Sequence, residues 1–230
     1  MEIHGFNKTT LLDYPGHLAA TIFTGGCNFR CPFCHNGALV LNPKEQPLIS
    51  EEEILRVLEK RKHILEGVCI TGGEPTLQSD LIPFIEKIKA LGIKVKLDTN
   101  GSRPEVLRAC IEKKLLDYVA MDIKNTPENY SLSTGLLKPE IEKIKDSAAL
   151  LMKETIDYEF RTTIVKEHHS AKDMEELGQW LTGAKRYFLQ SYRDAEGVIE
   201  IGLHAHESEV LEEFQNILKK YIAQVEVRGI

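Results

Sequence analysis

The chain has 230 residues, 42% hydrophobic and 28% charged, with a formal net charge of -6. That balance is ordinary for a globular protein and the length suits one α/β domain or two small ones. The negative charge argues against nucleic acid or an anionic membrane as partner, and no apolar run approaches the roughly 18 residues that span a bilayer.

From the N-terminus, "MEIHGFNKTTLLDYPG" has no apolar signal core and reads as an arm over residues 1–17. "LAATIFT" is a buried strand that runs into the cysteine-rich loop "TGGCNFRCPFCHNG". "SEEEILRVLEKRKHIL" is a helix, with Ser50 as N-cap and Glu53 completing a capping box. "GVCITGG" is a short strand. "SDLIPFIEKIKALG" is a helix with Gly92 placed just past its C-terminus. The alternation continues with the strand "IKVKLDTNG", the helix "RPEVLRACIEKK" with Pro104 in its first turn, and the strand "LDYVAMDIKN". A helix over 140–153, the strand "DYEFRTTIV", a helix over 171–181, the strand "RYFLQSY", a helix over 207–221 and a closing strand "AQVEVRG" complete the chain.

Six strand–helix units without a linker, repeat or low-complexity tract predict one α/β domain over 1–230, with a parallel sheet and helices outside. A full eight-unit barrel needs about 250 residues, so the expected fold is an incomplete (β/α)6 barrel. Ligands of such folds sit at the strand C-termini. The cysteine loop, "TGGEPT", "DTNG" and "DIKN" follow the first four predicted strands, so four polar motifs converge on one rim.

Five cysteines are an odd number, and three are clustered, which makes a poor disulfide framework and predicts a reducing, cytoplasmic setting. Cys27, Cys31 and Cys34 instead present thiols at spacings suited to binding a metal. A structural zinc ion wants four ligands, and the remaining cysteines, Cys69 in an apolar run and Cys110 in an amphipathic helix, read as core. A [4Fe-4S] cluster held by three thiolates is equally short of a ligand, but there the vacant iron is an open coordination site. His168, His169, His204 and His206 lie in polar stretches and read as solvated loop residues.

The spacing C-x-x-x-C-x-x-C in "CNFRCPFCHN" resembles the signature of the radical S-adenosylmethionine (SAM) enzymes. With "TGGEPT", "LDTNG" and "MDIK", it is similar to the activating enzymes of glycyl radical enzymes over about Gly5 to Val165. "GFNKTTLLDYPG" resembles most the activating protein of the anaerobic ribonucleoside-triphosphate reductase; pyruvate formate-lyase activating enzymes carry a different lead-in to their Pro-Gly turn.

The resemblance implies one [4Fe-4S] cluster on Cys27, Cys31 and Cys34, with SAM chelating its open iron. Gly72, Gly73 and Glu74 would receive the methionine ammonium. Phe33, His35 and Asn36 would line the adenine, and Asp122, Lys124 and Arg161 would contact the rest of the cofactor, the two cations pairing its carboxylate or ribose. A monovalent cation would lie between Asp98, the Thr99 and Ala120 carbonyls, and Asp122. Asp13, Tyr14, Pro15 and Gly16 would stand near a lateral opening and hold a partner's glycine loop. Arg193 stands where related activases have a histidine, so that contact departs from the pattern.

The implied activity is one-electron reduction of SAM, fed by a donor such as flavodoxin, to methionine and a 5′-deoxyadenosyl radical that takes hydrogen from a glycine Cα in a partner enzyme. No side chain is required as a general acid or base. The stretch 35–71 is too short for an inserted ferredoxin-like domain, so a single cluster is expected. The competing readings are a pyruvate formate-lyase activating enzyme, a small-molecule enzyme like the 7-carboxy-7-deazaguanine synthases, and an inactive zinc-stabilised binding module.

Overall fold

The computed structural model describes residues 1–153 and 155–229. In chain order the elements are β1 (Ile3–Thr10), β2 (Ala19–Thr24), α1 (Gly37–Leu41), α2 (Glu51–Arg61), β3 (Gly67–Gly72), α3 (Leu81–Ala90), β4 (Lys94–Thr99) and α4 (Pro104–Glu112). They continue with β5 (Tyr118–Asp122), α5 (Tyr130–Thr134), α6 (Ile141–Leu151), β6 (Asp157–Ile164), α7 (Ala171–Trp180), β7 (Arg186–Ser191), α8 (Ser208–Leu218) and β8 (Gln224–Arg228).

All eight strands form one sheet in chain order. Strands β2 to β8 are parallel, and a helix lies in each connection between them, which is the expected set of six βα units plus a closing strand. The sheet begins and ends on β1 and β8, so it is a partial barrel.

Local chemistry explains the helix starts. The Ser50 hydroxyl accepts the Glu53 N–H at 3.2 Å, and Ser170 with Asp173 forms a reciprocal capping box on α7. Gly92 follows α3 at φ +78, the left-handed conformation that glycine adopts without strain.

The N-terminal arm contains a strand that the sequence does not announce. β1 pairs antiparallel with β2, from Ile3 opposite Thr24 to Thr10 opposite Ala19. Its half-exposed edge position lacks the apolar period of a buried strand.

The parallel strands divide their residues by face. Val68, Ile70, Val95, Leu97, Val119, Met121 and Phe160 join the main hydrophobic core with helix residues such as Ile54, Phe84, Ile88, Leu107 and Ile144. The alternate positions meet across the sheet as Cys69–Lys96, Asp98–Ala120 and Asp122–Arg161. These form a polar lumen. Arg228 of β8 reaches Glu159 of β6 with bonds of 3.0 and 3.1 Å and helps fasten the final strand.

The lower end of the lumen is closed by a small cluster of Tyr14, Ala19 and Tyr118. The Tyr14 and Tyr118 ring centroids are 6.0 Å apart, and a Cβ on Gly67 would come within 2.5 Å of the Tyr14 ring. Ala19, Gly67 and Tyr118 all lie at strand N-termini, opposite the cysteine rim. Tyr14, Pro15 and Gly16, expected near a lateral opening, therefore lie at the lower end of the barrel, away from the cysteine rim. Tyr14 is a buried plug, because an antiparallel β1 carries the turn to the far end, and Pro15 and Gly16 are exposed there.

Candidate functional site

The loop between β2 and α1 brings Cys27, Cys31 and Cys34 to the rim. Its course is fixed by hydrogen bonds from Arg30 N–H to Thr134 O at 2.8 Å and from the Arg30 guanidinium to the Cys27 and Phe29 carbonyls at 2.6 and 2.8 Å. The Phe29 N–H donates to Cys27 Sγ at 3.3 Å. Burial pushes the Cys27 thiol up to about 12 and Cys31 up to about 11, and raises Cys34 as well. The free thiols are thus protonated near neutrality, and a metal binding there must displace their protons. Among the described residues, no three His, Cys, Asp or Glu side chains converge as ligands of one metal ion.

The second motif closes on this loop at backbone distance. Gly73 N–H donates to Thr24 O and Glu74 N–H to Gly26 O, both at 2.8 Å. Gly72 has φ +115, and a Cβ on Gly73 would lie 1.9 Å from Gly26 O. Only glycines permit this approach. The Asn36 amide donates to Gly72 O at 2.9 Å and ties the end of the cysteine loop to the same turn.

Glu74 is 1% exposed. Oε1 accepts from the Thr76 N–H at 3.1 Å, the Thr76 hydroxyl, and the Thr99 hydroxyl at 2.7 Å; Oε2 accepts the Asn100 N–H at 2.7 Å. Burial raises its pKa, and these donors oppose the rise. The carboxylate thus clasps the tips of β3 and β4 together, a role that the short "GGE" motif does not reveal. An ammonium arriving here meets a carboxylate already held in place, with one acceptor position on Oε2 beyond the Asn100 bond.

Fixed charges line the neighbouring wall. Arg161 donates through Nε to Asp122 Oδ1 and through Nη2 to Asp98 Oδ2 at 3.0 Å. Lys124 Nζ lies 2.8 Å from Asp122 Oδ2, and Lys96 Nζ is bonded to Asp98 Oδ1. Burial opposes ionisation of Asp122, but Arg161 and Lys124 outweigh it and hold its pKa well below the usual carboxylate range. Lys124 also stands 5.9 Å from the Phe33 ring centre.

These groups border one cavity of about 410 Å³, within the roughly 300–1,000 Å³ typical of small-molecule sites. Cys27, Cys31, Cys34, Phe33, His35, Asn36, Gly72, Gly73, Glu74, Asp122, Lys124 and Arg161 all line it. Asp98, Thr99 and Asp13 line it too; Asp13 reaches in from the lower turn to accept the Thr21 hydroxyl. Ala120, Tyr14, Pro15 and Gly16 do not. The three thiols, the glycine turn, the carboxylate and the two cations fit a three-thiolate cluster with a zwitterionic cofactor beside it.

The sequence-based readings of Cys69, His168 and His169 change. Cys69 is buried, but on the lumen face, with Sγ 3.6 Å from Asp98 Oδ1 and 3.7 Å from Lys96 Nζ; of these two cysteines, Cys110 is the one in the apolar core. The Arg193 guanidinium turns away to Gly229 O at 2.9 Å, and only its carbonyl meets His35, at 2.8 Å. His168 and His169 are buried, not solvated. His169 Nδ1 accepts the Val165 N–H and Nε2 donates to Lys124 O, both at 3.0 Å, which defines a neutral ring; burial lowers its pKa to about 4. His204 is exposed beside Glu167. His206, half-buried, reaches His169 O at 2.9 Å.

Sequence reasoning also missed Asn100, Thr163 and Gln190 in the cavity wall. Thr163 is two residues beyond the lumen-facing Arg161, so strand period alone points to it. The Asn100 amide approaches Cys27 Sγ at 3.8 Å and Asn28 Oδ1 at 2.9 Å, which links the β4 turn to the cysteine loop.

The site is thus three thiols at the rim of a parallel partial barrel, beside a charged cavity. Residues 21–181 match the model of the Radical SAM superfamily, and the chain belongs to it. The family implies a [4Fe-4S] cluster and SAM. The chain is 33% identical over 237 residues to a Methanocaldococcus jannaschii protein named "putative glycyl-radical enzyme activating enzyme", with 99% of this chain and 96% of that one covered. It is 28% identical over 158 residues to a 7-carboxy-7-deazaguanine synthase of Thermoplasma acidophilum, covering 67% and 70% of the two chains. Two solved structures share the fold. Streptococcus suis SuiB bound to SAM matches with TM-score 0.69 at 17% identity over 88% of this chain, which spans only 48% of SuiB. A domain of pyruvate-formate lyase-activating enzyme from Bacteroides vulgatus matches with TM-score 0.58 at 18% identity, covering 71% of this chain and 99% of that one.

Proposed function

We propose that this radical SAM enzyme is an activase that installs a glycyl radical on a partner enzyme, with an anaerobic ribonucleoside-triphosphate reductase as the favoured partner. The observation that carries the activase reading is the near full-length likeness to the M. jannaschii protein. The reductase is favoured by the resemblance of "GFNKTTLLDYPG". The residues fit a resident cluster and cofactor. Cys27, Cys31 and Cys34 hold the metal, Glu74 and the Gly72–Gly73 turn receive the ammonium, and Lys124 and Arg161 face the carboxylate or ribose. Phe33, His35 and Asn36 border the adenine.

When bound, the reduced cluster and SAM supply a carbon radical that abstracts hydrogen. The chain's own groups bind, orient and exclude water; the reaction requires none of them as a general acid or base. Between the edge strands β1 and β8 lies the side of the barrel through which a glycine-bearing loop reaches the cavity. A one-electron donor such as flavodoxin and a cytoplasmic setting complete the reading.

The test is EPR of the reduced protein mixed anaerobically with SAM and the reductase from the same source. The expected result is a doublet from a glycyl Cα–H coupling and one 5′-deoxyadenosine per radical. A radical on pyruvate formate-lyase alone keeps the activase and replaces the partner. Deoxyadenosine formed in step with a soluble substrate, and with neither protein, rejects the activase.

A further inference from the structure

The resemblance places a monovalent cation between Asp98 and Asp122. Here all four of their carboxylate oxygens already face protein cations: Lys96 and Arg161 on Asp98, Arg161 and Lys124 on Asp122. A hard cation needs several oxygens whose lone pairs point at it. Each of these oxygens is already charge-paired, and an ion added beside them and the Thr99 and Ala120 carbonyls would join three fixed positive charges.

We infer that the Lys96 ammonium, held inside the lumen against Asp98 while Arg161 bridges Asp98 and Asp122, takes the place of that cation, so that this chain binds SAM without added K⁺ or Na⁺. The inference rests on reading the cavity as the cofactor site. Lys96 is 2% exposed. A buried ammonium is costly unless paired, and a lysine in the middle of a strand has no route to solvent. Among the described residues, its side-chain hydrogen bonds go to Asp98 Oδ1 and to the Cys69 sulfur at 3.7 Å. It therefore acts as a tethered counter-ion that fixes Asp98, and through Asp98 the Arg161 guanidinium at the cavity wall. Lys96 is a positioning residue in this role.

A substitution that removes the ammonium and keeps the bulk, Lys96→Met, frees Asp98 Oδ1 to bind an external ion. The experiment titrates SAM into the reconstituted, reduced protein and follows the change in the cluster's EPR spectrum, with choline chloride exchanged for KCl or NaCl at constant ionic strength. Wild type should bind equally in all three salts. Lys96→Met should bind about ten- to a hundred-fold more weakly in choline and recover in K⁺ or Na⁺, a rescue that a merely structural lysine would not give. In parallel, ²³Na relaxation on the cluster-free protein should show a bound ion for Lys96→Met and none for wild type. A wild-type affinity that needs K⁺ or Na⁺, or a sodium ion bound by wild type, overturns the inference even if the variant does not fold. Wild type that binds sodium-free by NMR yet never binds SAM in any salt instead removes the cofactor reading on which the inference rests.

Discussion

The two faces of β4 differ sharply in chemistry. Val95 and Leu97 point outward into an apolar core, while Lys96 and Asp98 point inward to a charged lumen. The same division holds on β6, where Phe160 packs outward and Arg161 inward. One face supplies the hydrophobic stabilisation and the other is free to carry expensive polar groups, each held by a partner. Substitutions on the two faces should therefore fail differently: the outer in stability, the inner and the rim in cofactor chemistry.

The largest effect belongs to the rim. Cys27→Ala, Cys31→Ala and Cys34→Ala should each lose the [4Fe-4S] cluster, measured as iron and sulfide after anaerobic reconstitution, because three thiolates are the whole protein ligand set. Cys69→Ala and Cys110→Ala should keep it. Loss of iron from Cys69→Ala would return a four-cysteine site to consideration.

On the outer face, Phe160→Ala should cost about 3–5 kcal/mol in denaturant unfolding and leave the SAM affinity of the folded fraction unchanged. A variant equally stable but unable to bind SAM would erase the distinction between the faces.

His169 sharpens the comparison because it ties together the rim segments that follow β5 and β6. Its pKa is lowered from 6.5 to about 4. The unfolded state therefore binds the proton more readily, so this contribution is complete above pH 6.5 and is lost as pH falls toward 4. It amounts to about 3 kcal/mol at most. His169→Gln, which does not titrate, should flatten the stability profile in that window; identical slopes for both proteins would remove His169 as its source.

A smaller effect is expected at Glu74. Because its carboxylate clasps two strand tips, truncation to alanine would strand the Thr99 hydroxyl and Asn100 N–H and confuse folding with binding. Glu74→Gln keeps the shape and loses the charge. It should retain the cluster and weaken SAM by about 1.5–3 kcal/mol, or ten- to a hundred-fold by calorimetry. An unchanged affinity takes Glu74 out of the cofactor's contacts.

The sequence made the parallel sheet legible because each apolar run and amphipathic stretch has its own period, and helix ends such as Ser50 and Gly92 carry caps. The cysteine loop was legible because thiol spacing is set by chemistry within a few residues. The arm was not: an antiparallel edge strand buries little, so β1 shows no pattern, and without it the turn at Tyr14 cannot be assigned to the lower end. Nor was the company of Cys69 and Lys96 visible, since neighbours across a parallel sheet lie a helix apart in sequence. His169 looked solvated because one of its partners, the Lys124 carbonyl, belongs to a distant strand end.

The most direct test of the central claim, that three rim thiols hold an open cluster beside a SAM cavity, is the EPR spectrum of the reconstituted, reduced protein before and after adding SAM. The account predicts a [4Fe-4S]⁺ signal that changes on addition of SAM and is missing from Cys31→Ala. A protein that binds zinc in place of the cluster, or a cluster signal indifferent to SAM, would contradict it.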